Sequence, residues 1–270
     1  MAGSWFTGAG ATDIGPRAEN QDAFLSEGPV QIVADGMGGH AGGAQASAAV
    51  VEAFRSLAGA SLVAPSDVVK AVSRARALVA DVAERIFGDP GSTLTGAIAV
   101  EHEGAPWWFV INVGDSRVYA IDGASAHQIT IDHSHVQDLV TLGRITKEQA
   151  EHHPDRNIIT RAIGDMLPGF DGWLVRARPG LRLVIASDGL TKVVSDERIG
   201  AVAAREGKPQ AAAHALVAQA IELGTNDNVT VVVADTLHAR TPAHAAAGPW
   251  QVWGIDEDDE DGDTLERGSR

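Results

Sequence analysis

The chain contains no cysteine. Disulfides and thiolate metal sites are therefore excluded, and any bound metal must be held by carboxylates, imidazoles, carbonyls or water. Long apolar runs are also missing: nothing approaches the ~20 residues that cross a bilayer, so no membrane partner is expected. The first residues, Met1-Ala2-Gly3-Ser4-Trp5-Phe6, have neither the basic nor the apolar region of a secretory leader. A soluble, cytoplasmic protein is the expectation. Positive charge is scarce, with 21 Lys and Arg against 36 acids in 270 residues and a net charge of −15. That balance argues against a nucleic-acid partner. The acid is uneven: residues 256–270 hold eight acids and two Arg. An acidic body that binds an anion needs a local positive device, either a metal or a well-placed Arg.

What is present centres on Val33-Ala34-Asp35-Gly36-Met37-Gly38-Gly39-His40. An apolar strand, Val30 to Ala34, ends on a carboxylate, glycines follow, and a helix starts near Ala44. Glycine beside an acid lets backbone groups approach an ion or a phosphate without an intervening Cβ. A nucleotide-binding loop has the same outline, but no Gly-Lys-Ser/Thr follows and the spacing is not GxGxxG. A carboxylate at the strand end suits a hard cation better than a bare phosphate.

Along the chain, a first strand is expected over 5–12 and a short one over Ala23–Leu25. Helices are expected over Gly43–Leu57 and from an N-cap at Ser66 to about Phe87, the second with a core stripe of Val68, Val72, Ala75, Val79, Val82 and Ile86. Strands follow over Thr93–Val100, Trp107–Val113, Ser116–Ile121 and Gln128–Ile131, with Gly114-Asp115 a tight turn between the second and third of these. Asp132 to Gly164 is polar and carries His133, His135, His152 and His153. Its length between strands points to a flap over a site. The histidine spacings do not fit HExxH, so exposed polar histidines are a better reading than a zinc site. Thr146-Lys147-Glu148-Gln149 fits a capping box. A hairpin is expected from Leu174–Arg178 and Leu181–Ala186, then helices from Ser195 to about Arg205 and from Pro209 to Leu223, then a strand Val229–Ala234. After Thr236 a largely disordered acidic tail is expected, in which Trp250 and Trp253 form either a docking pair or part of a solubilising segment.

Asp35, Asp188 and Asp227 each sit at the rim of an apolar strand, next to Gly or Asn. Three carboxylates on one rim repel unless cations lie between them. All-oxygen donors without cysteine fit Mg²⁺ or Mn²⁺ better than Zn²⁺.

Six motifs occur in order: Arg17-Ala18-Glu19-Asn20-Gln21-Asp22, Ala34-Asp35-Gly36-Met37-Gly38-Gly39-His40, Gly91-Ser92-Thr93, Val113-Gly114-Asp115-Ser116-Arg117, Ala186-Ser187-Asp188-Gly189 and Asp227-Asn228-Val229-Thr230. Together they resemble the metal-dependent, type 2C protein serine/threonine phosphatases in their bacterial form, over about residues 7 to 235. The resemblance implies an α+β fold, a four-layer α-β-β-α sandwich of two mostly antiparallel sheets flanked by helices. A catalytic domain over 1–237 would carry a flap at about 133–164, with the tail over 238–270. The resemblance also implies a two-ion Mn²⁺ or Mg²⁺ centre. Asp35 would bridge both ions, the Gly36 carbonyl would bind one, and Asp188 and Asp227 would hold the other. Asp115 with Asp188 matches a third, weaker site. Arg17 matches the phosphate-binding arginine, Asp22 would act through water, and Gly189 and Asn228 would support the ligands behind them.

The reaction implied is hydrolysis of phosphoserine and phosphothreonine by direct attack of a metal-bridging water. The enzyme would be a monomer, acting on phosphorylated proteins and opposing a Ser/Thr kinase. A non-catalytic phosphoprotein-binding module and a hydrolase of small phosphate esters are the alternatives. Two departures stand out: Gln21 where some members have a metal-binding Glu, and Met37 where some have a His proposed as general acid. His40, three residues on, does not inherit that role.

Overall fold

The computed structural model describes residues 5–38, 42–238 and 250–253. His40, Met1 to Ser4 and the acidic residues 256–270 lie outside the described residues. The elements in order are β1 (Phe6–Asp13), β2 (Asp22–Glu27), β3 (Val30–Met37), α1 (Gly42–Phe54), α2 (Pro65–Ile86), β4 (Gly91–Ser92), β5 (Leu94–His102), β6 (Ala105–Val113), β7 (Arg117–Asp122) and β8 (Ser125–Gln128). They continue with α3 (His135–Thr141), α4 (Lys147–Glu151), β9 (Asp171–Arg176), β10 (Arg182–Ala186), α5 (Asp188–Thr191), α6 (Asp196–Arg205), α7 (Pro209–Glu222), β11 (Val229–Thr236) and β12 (Trp250–Trp253).

The strands form two antiparallel sheets. One runs β1-β11-β10-β7-β8 and the other β12-β9-β6-β5-β3-β2, with β4 paired to β3. Side chains alternate across a strand, and here both faces are buried, so parity assigns each residue to a layer. Ile32, Phe109 and Ile111 face α1 and α2, meeting Val50, Phe54, Val68 and Val72. Their neighbours Val33, Trp108 and Val110 face inward and meet Leu183, Ile185 and Val232 of the other sheet. On that sheet Val184, Val231 and Val233 point outward against Ile199, Val202 and Leu216 of α6 and α7. Three apolar interfaces thus separate four layers, α-β-β-α, as the resemblance implied. The Val- and Ile-rich runs read as continuous rather than alternating because both faces are covered.

Several local expectations need correction. The expected hairpin of 174–178 and 181–186 does not form: β9 pairs with β6 and β12, whereas β10 pairs with β7 and β11. The Gly114-Asp115 turn likewise carries the chain from one sheet to the other, because β6 and β7 belong to different sheets. Ser66 is not the cap of α2. Ala64 is, with no side-chain bond, and a proline occupies the first turn, where its fixed φ and missing N–H are no cost. The strand expected at 128–131 lies earlier, at Ser125–Gln128. Four residues of the expected tail, Trp250–Trp253, pair with β9 as an edge strand. Trp253 packs there with its ring 5.1 Å from that of Phe109.

Candidate metal centre

Both sheets deliver carboxylates to one end of the sandwich. Asp35 lies in β3 directly opposite Asp22 of β2. Asp115 sits in the crossing turn between β6 and β7, Asp188 opens α5 just after β10, and Asp227 precedes β11. Asp115 and Asp188 are buried, at 6% and 7% exposure. Asp115 Oδ1 and Asp188 Oδ1 have no hydrogen-bond partner.

The electrostatics record how closely these groups are drawn together. Burial holds the Asp35 carboxyl well above the usual carboxylate range, and Asp22, Asp188, Asp115 and Asp227 push it the same way. Asp22 is pushed up to about 7, first by burial and then by Asp188 and Asp227, against hydrogen bonds from Thr230 and Ser187. Asp115 is also pushed up to about 7, by burial and by Asp188, with Lys192 pulling the other way. Burial first, and then the repulsion of neighbouring carboxylates, disfavours the charged forms of these acids, and a nearby cation would relieve both.

Backbone architecture fixes each acid. The Asp35 N–H donates to Thr93 Oγ1 (2.9 Å), and the Thr93 N–H donates to the Asp35 carbonyl (2.8 Å). Thr93 Oγ1 lies 2.9 Å from Ser116 Oγ, so one hydroxyl pair links the Asp35 strand to the turn carrying Asp115. Gly36 donates its N–H to the Gln21 carbonyl (3.0 Å). A Cβ on Gly36 would stand 2.1 Å from the Gly43 carbonyl oxygen, so only glycine lets the backbone pass here. Asp22 Oδ2 accepts from Ser187 Oγ (2.8 Å), and that oxygen in turn accepts from the Thr230 N–H (2.9 Å).

Asn228 staples the Arg17 loop to β11. Its Oδ1 accepts from the Gln21 N–H (2.8 Å), and its Nδ2 donates to the carbonyls of Ile14 (2.8 Å) and Glu19 (3.0 Å). Arg17 thereby reaches Asp227 Oδ2 from Nη2 (2.7 Å) and the Asn226 carbonyl from Nε (2.8 Å). Gly189 is pressed onto Asn228: a Cβ there would lie 1.8 Å from the Asn228 carbonyl oxygen.

Sequence reasoning passed over Thr93, Ser116, Ser187 and Thr230 as individual residues, although all four lie inside the quoted motifs, Ser116 and Ser187 next to an acid and Thr93 and Thr230 at the ends of theirs. It also placed the flap histidines at the surface, which is wrong for His133. That ring is buried, at 7% exposure. Its Nδ1 accepts from the Gly114 N–H (3.0 Å), which puts the proton on Nε2, 3.1 Å from Asp171 Oδ2. Arg161 Nη1 donates to Asp171 Oδ1 (3.0 Å). Against burial, His133 and Arg161 hold Asp171 below its ordinary value. Both ends of the segment 133–164 are thus tied to the turn that carries Asp115. Between α3, α4 and α5 lies a cavity of about 720 Å³ reaching from Asp115 and Asp188 to Gln137 and Arg156.

The donors fit a divalent hard cation: they are all oxygen, they are crowded, and two buried carboxylate oxygens lack a partner. Among the described residues, no three carboxylate or imidazole side chains are drawn tightly enough to hold an ion alone. Two of the acids turn instead to internal cations, Asp227 to Arg17 and Asp188 to Lys192. An ion here would take the remaining donors from the Gly36 carbonyl and water.

Comparison with known proteins agrees with the geometry. Residues 9–219 match the family model described as protein phosphatase 2C. The serine/threonine protein phosphatase PstP of Mycobacterium tuberculosis is 37% identical over 226 residues, covering 82% of this chain and 43% of that protein. The chain therefore spans less than half the length of that curated relative. The serine/threonine phosphatase stp of Listeria innocua is 31% identical over 235 residues, covering 83% of this chain and 89% of that one. A solved structure of the catalytic domain of PstP, described in complex with two manganese ions, superposes with a TM-score of 0.74 at 33% identity, covering 86% of this chain and 99% of that one. With the fold, the order of motifs and the matched residues in agreement, the chain belongs to the protein phosphatase 2C family.

Proposed function

We propose that the chain is a metal-dependent protein phosphatase that hydrolyses phosphoserine and phosphothreonine by direct attack of water, opposing a Ser/Thr kinase. The observation that carries this reading is the gathering of five carboxylates from both sheets at one end of the sandwich, three of them pushed far above their ordinary range. Asp35, Asp188, Asp227 and the Gly36 carbonyl would hold two Mn²⁺ or Mg²⁺ ions. When bound, such ions supply the charge that acidifies water and neutralises the phosphoryl oxygens.

The chain's own residues do the rest. Arg17, anchored beside the centre by Asp227 and the Asn226 carbonyl, carries a planar guanidinium whose geometry suits a tetrahedral oxyanion. Asp22, held by Ser187 and opposite Asp35 in the sheet, would act at the centre through water. Asn228 and Gly189 keep the Arg17 loop and α5 in register behind these groups. The cavity between the flap and α5 gives a phosphorylated segment a place to lie beside the centre.

Asp188→Asn tests the reading. It removes one charge from the crowded rim, so the variant should keep its fold by far-UV circular dichroism and lose phosphatase turnover by at least ~100-fold. Wild-type turnover in that variant would sink the assignment.

A further inference from the structure

Lys192 is the C-cap residue of α5, four residues after Asp188, and its backbone N–H donates to the Asp188 carbonyl (2.9 Å). Side chains at i and i+4 share one helix face. Accordingly Lys192 Nζ donates to Asp188 Oδ2 in a direct ion pair. Its side chain is only 30% exposed, so the charge belongs to the cleft and not to bulk water. Asp115, Asp188 and Lys192 line the same cavity.

We propose that Lys192 is a built-in cation on the Asp115–Asp188 side of the centre, taking the place of a third divalent ion, so that the chain binds two ions and not three. The inference rests on the two-ion reading above. The two central ions would have Asp35 and Asp227 besides Asp188, whereas a third would have only Asp115 and Asp188, one of them already paired to the ammonium, and between partly buried charges that repulsion is weakly screened. The protein therefore carries part of its own counter-charge covalently. The two carboxylate oxygens left without a partner, Asp115 Oδ1 and Asp188 Oδ1, are the ones an ion would claim if the ammonium were removed.

The test is stoichiometry, not turnover. The full chain is stripped with chelator and titrated with Mn²⁺ by calorimetry, and bound metal is measured after equilibrium dialysis. Wild type and Lys192→Arg should bind two ions. Lys192→Met, which keeps the aliphatic stem and removes the charge, should bind a third over the Mn²⁺ range in which wild type binds two. Adding Asp115→Asn to Lys192→Met should abolish that gain. Circular dichroism checks the fold of each variant, and Lys192→Gln replaces Lys192→Met if the latter does not fold. Three ions in the wild type, or two in both wild type and Lys192→Met, would overturn the inference. No ion in any variant would overturn the two-ion reading itself and this inference with it.

Discussion

Stripping divalent ions should leave a protein whose stability falls as pH rises through the weakly acidic range. Asp115 moves from an ordinary value of 3.8 to about 7 in the folded, ion-free chain, through burial and the charge of Asp188, with Lys192 only partly offsetting them. Between those two values the folded state holds a proton that the unfolded chain has lost. Acid therefore stabilises the fold, and that stabilisation drains away as pH climbs to about 7. A shift of this size in one carboxyl corresponds to about 4 kcal/mol. Asp22 shifts the same way, but both acids answer to Asp188, so their effects overlap and do not sum. At ~2–4 °C per kcal/mol for a domain of this size, the melting temperature should drop by roughly 10 °C between about pH 4.5 and pH 8. Thermal unfolding in EDTA, followed by far-UV circular dichroism, reads this directly. Asp115→Asn should flatten the profile. Added Mn²⁺ should raise the melting temperature more at pH 8 than at pH 5, because ligand carboxylates must first lose their protons. A melting temperature in EDTA that is flat or rises with pH, or an Asp115→Asn profile as steep as wild type, would refute the electrostatic reasoning.

Two substitutions separate chemistry from scaffold. Arg17→Ala removes a guanidinium whose side chain is 52% exposed, so it should change the melting temperature by no more than a degree or two while lowering kcat/KM on a phosphopeptide by ~100-fold. Steady-state kinetics with unchanged kcat/KM would remove Arg17 from the mechanism. Gly114→Ala places a Cβ 2.6 Å from Thr93 Cγ2 at a backbone φ of +110°. It should cost about 2–4 kcal/mol in urea unfolding, and a wild-type midpoint would contradict the close approach at this turn.

The acids were legible from sequence because their signal is local: an apolar strand that stops on Asp-Gly or is preceded by Asp-Asn says where the carboxylate projects. Strand partnership was not legible. Residues 174–178 and 181–186 have the spacing of a hairpin, yet β9 and β10 join different sheets. With both faces of every central strand buried, no alternation of polar and apolar residues reveals which sheet a strand enters. The same ambiguity hid the sheet-to-sheet passage at Gly114-Asp115, the feature that brings Asp115 alongside Asp188. His133 reads as one more polar residue in a polar segment, and only its long-range partners, Gly114 and Asp171, make it a buried tie. Lys192 carries no signal at all in a helical turn, where most lysines are solvated. Its role depends on α5 starting at Asp188, and a helix of four residues is too short to show a period. Trp250 and Trp253 showed as an aromatic pair, but the edge of β9 that receives them is set by strands far away in the chain.

The central claim is hydrolysis of phosphoserine and phosphothreonine that depends on divalent metal. The most direct measurement is phosphate release from a phosphothreonine peptide by the full chain, with Mn²⁺ and then with EDTA in excess, alongside nucleotides and sugar phosphates as small esters. The account predicts release from the peptide with Mn²⁺, little from the small esters, and none from either after chelation. Release that persists in EDTA, or no release by the folded protein in Mn²⁺, would contradict it.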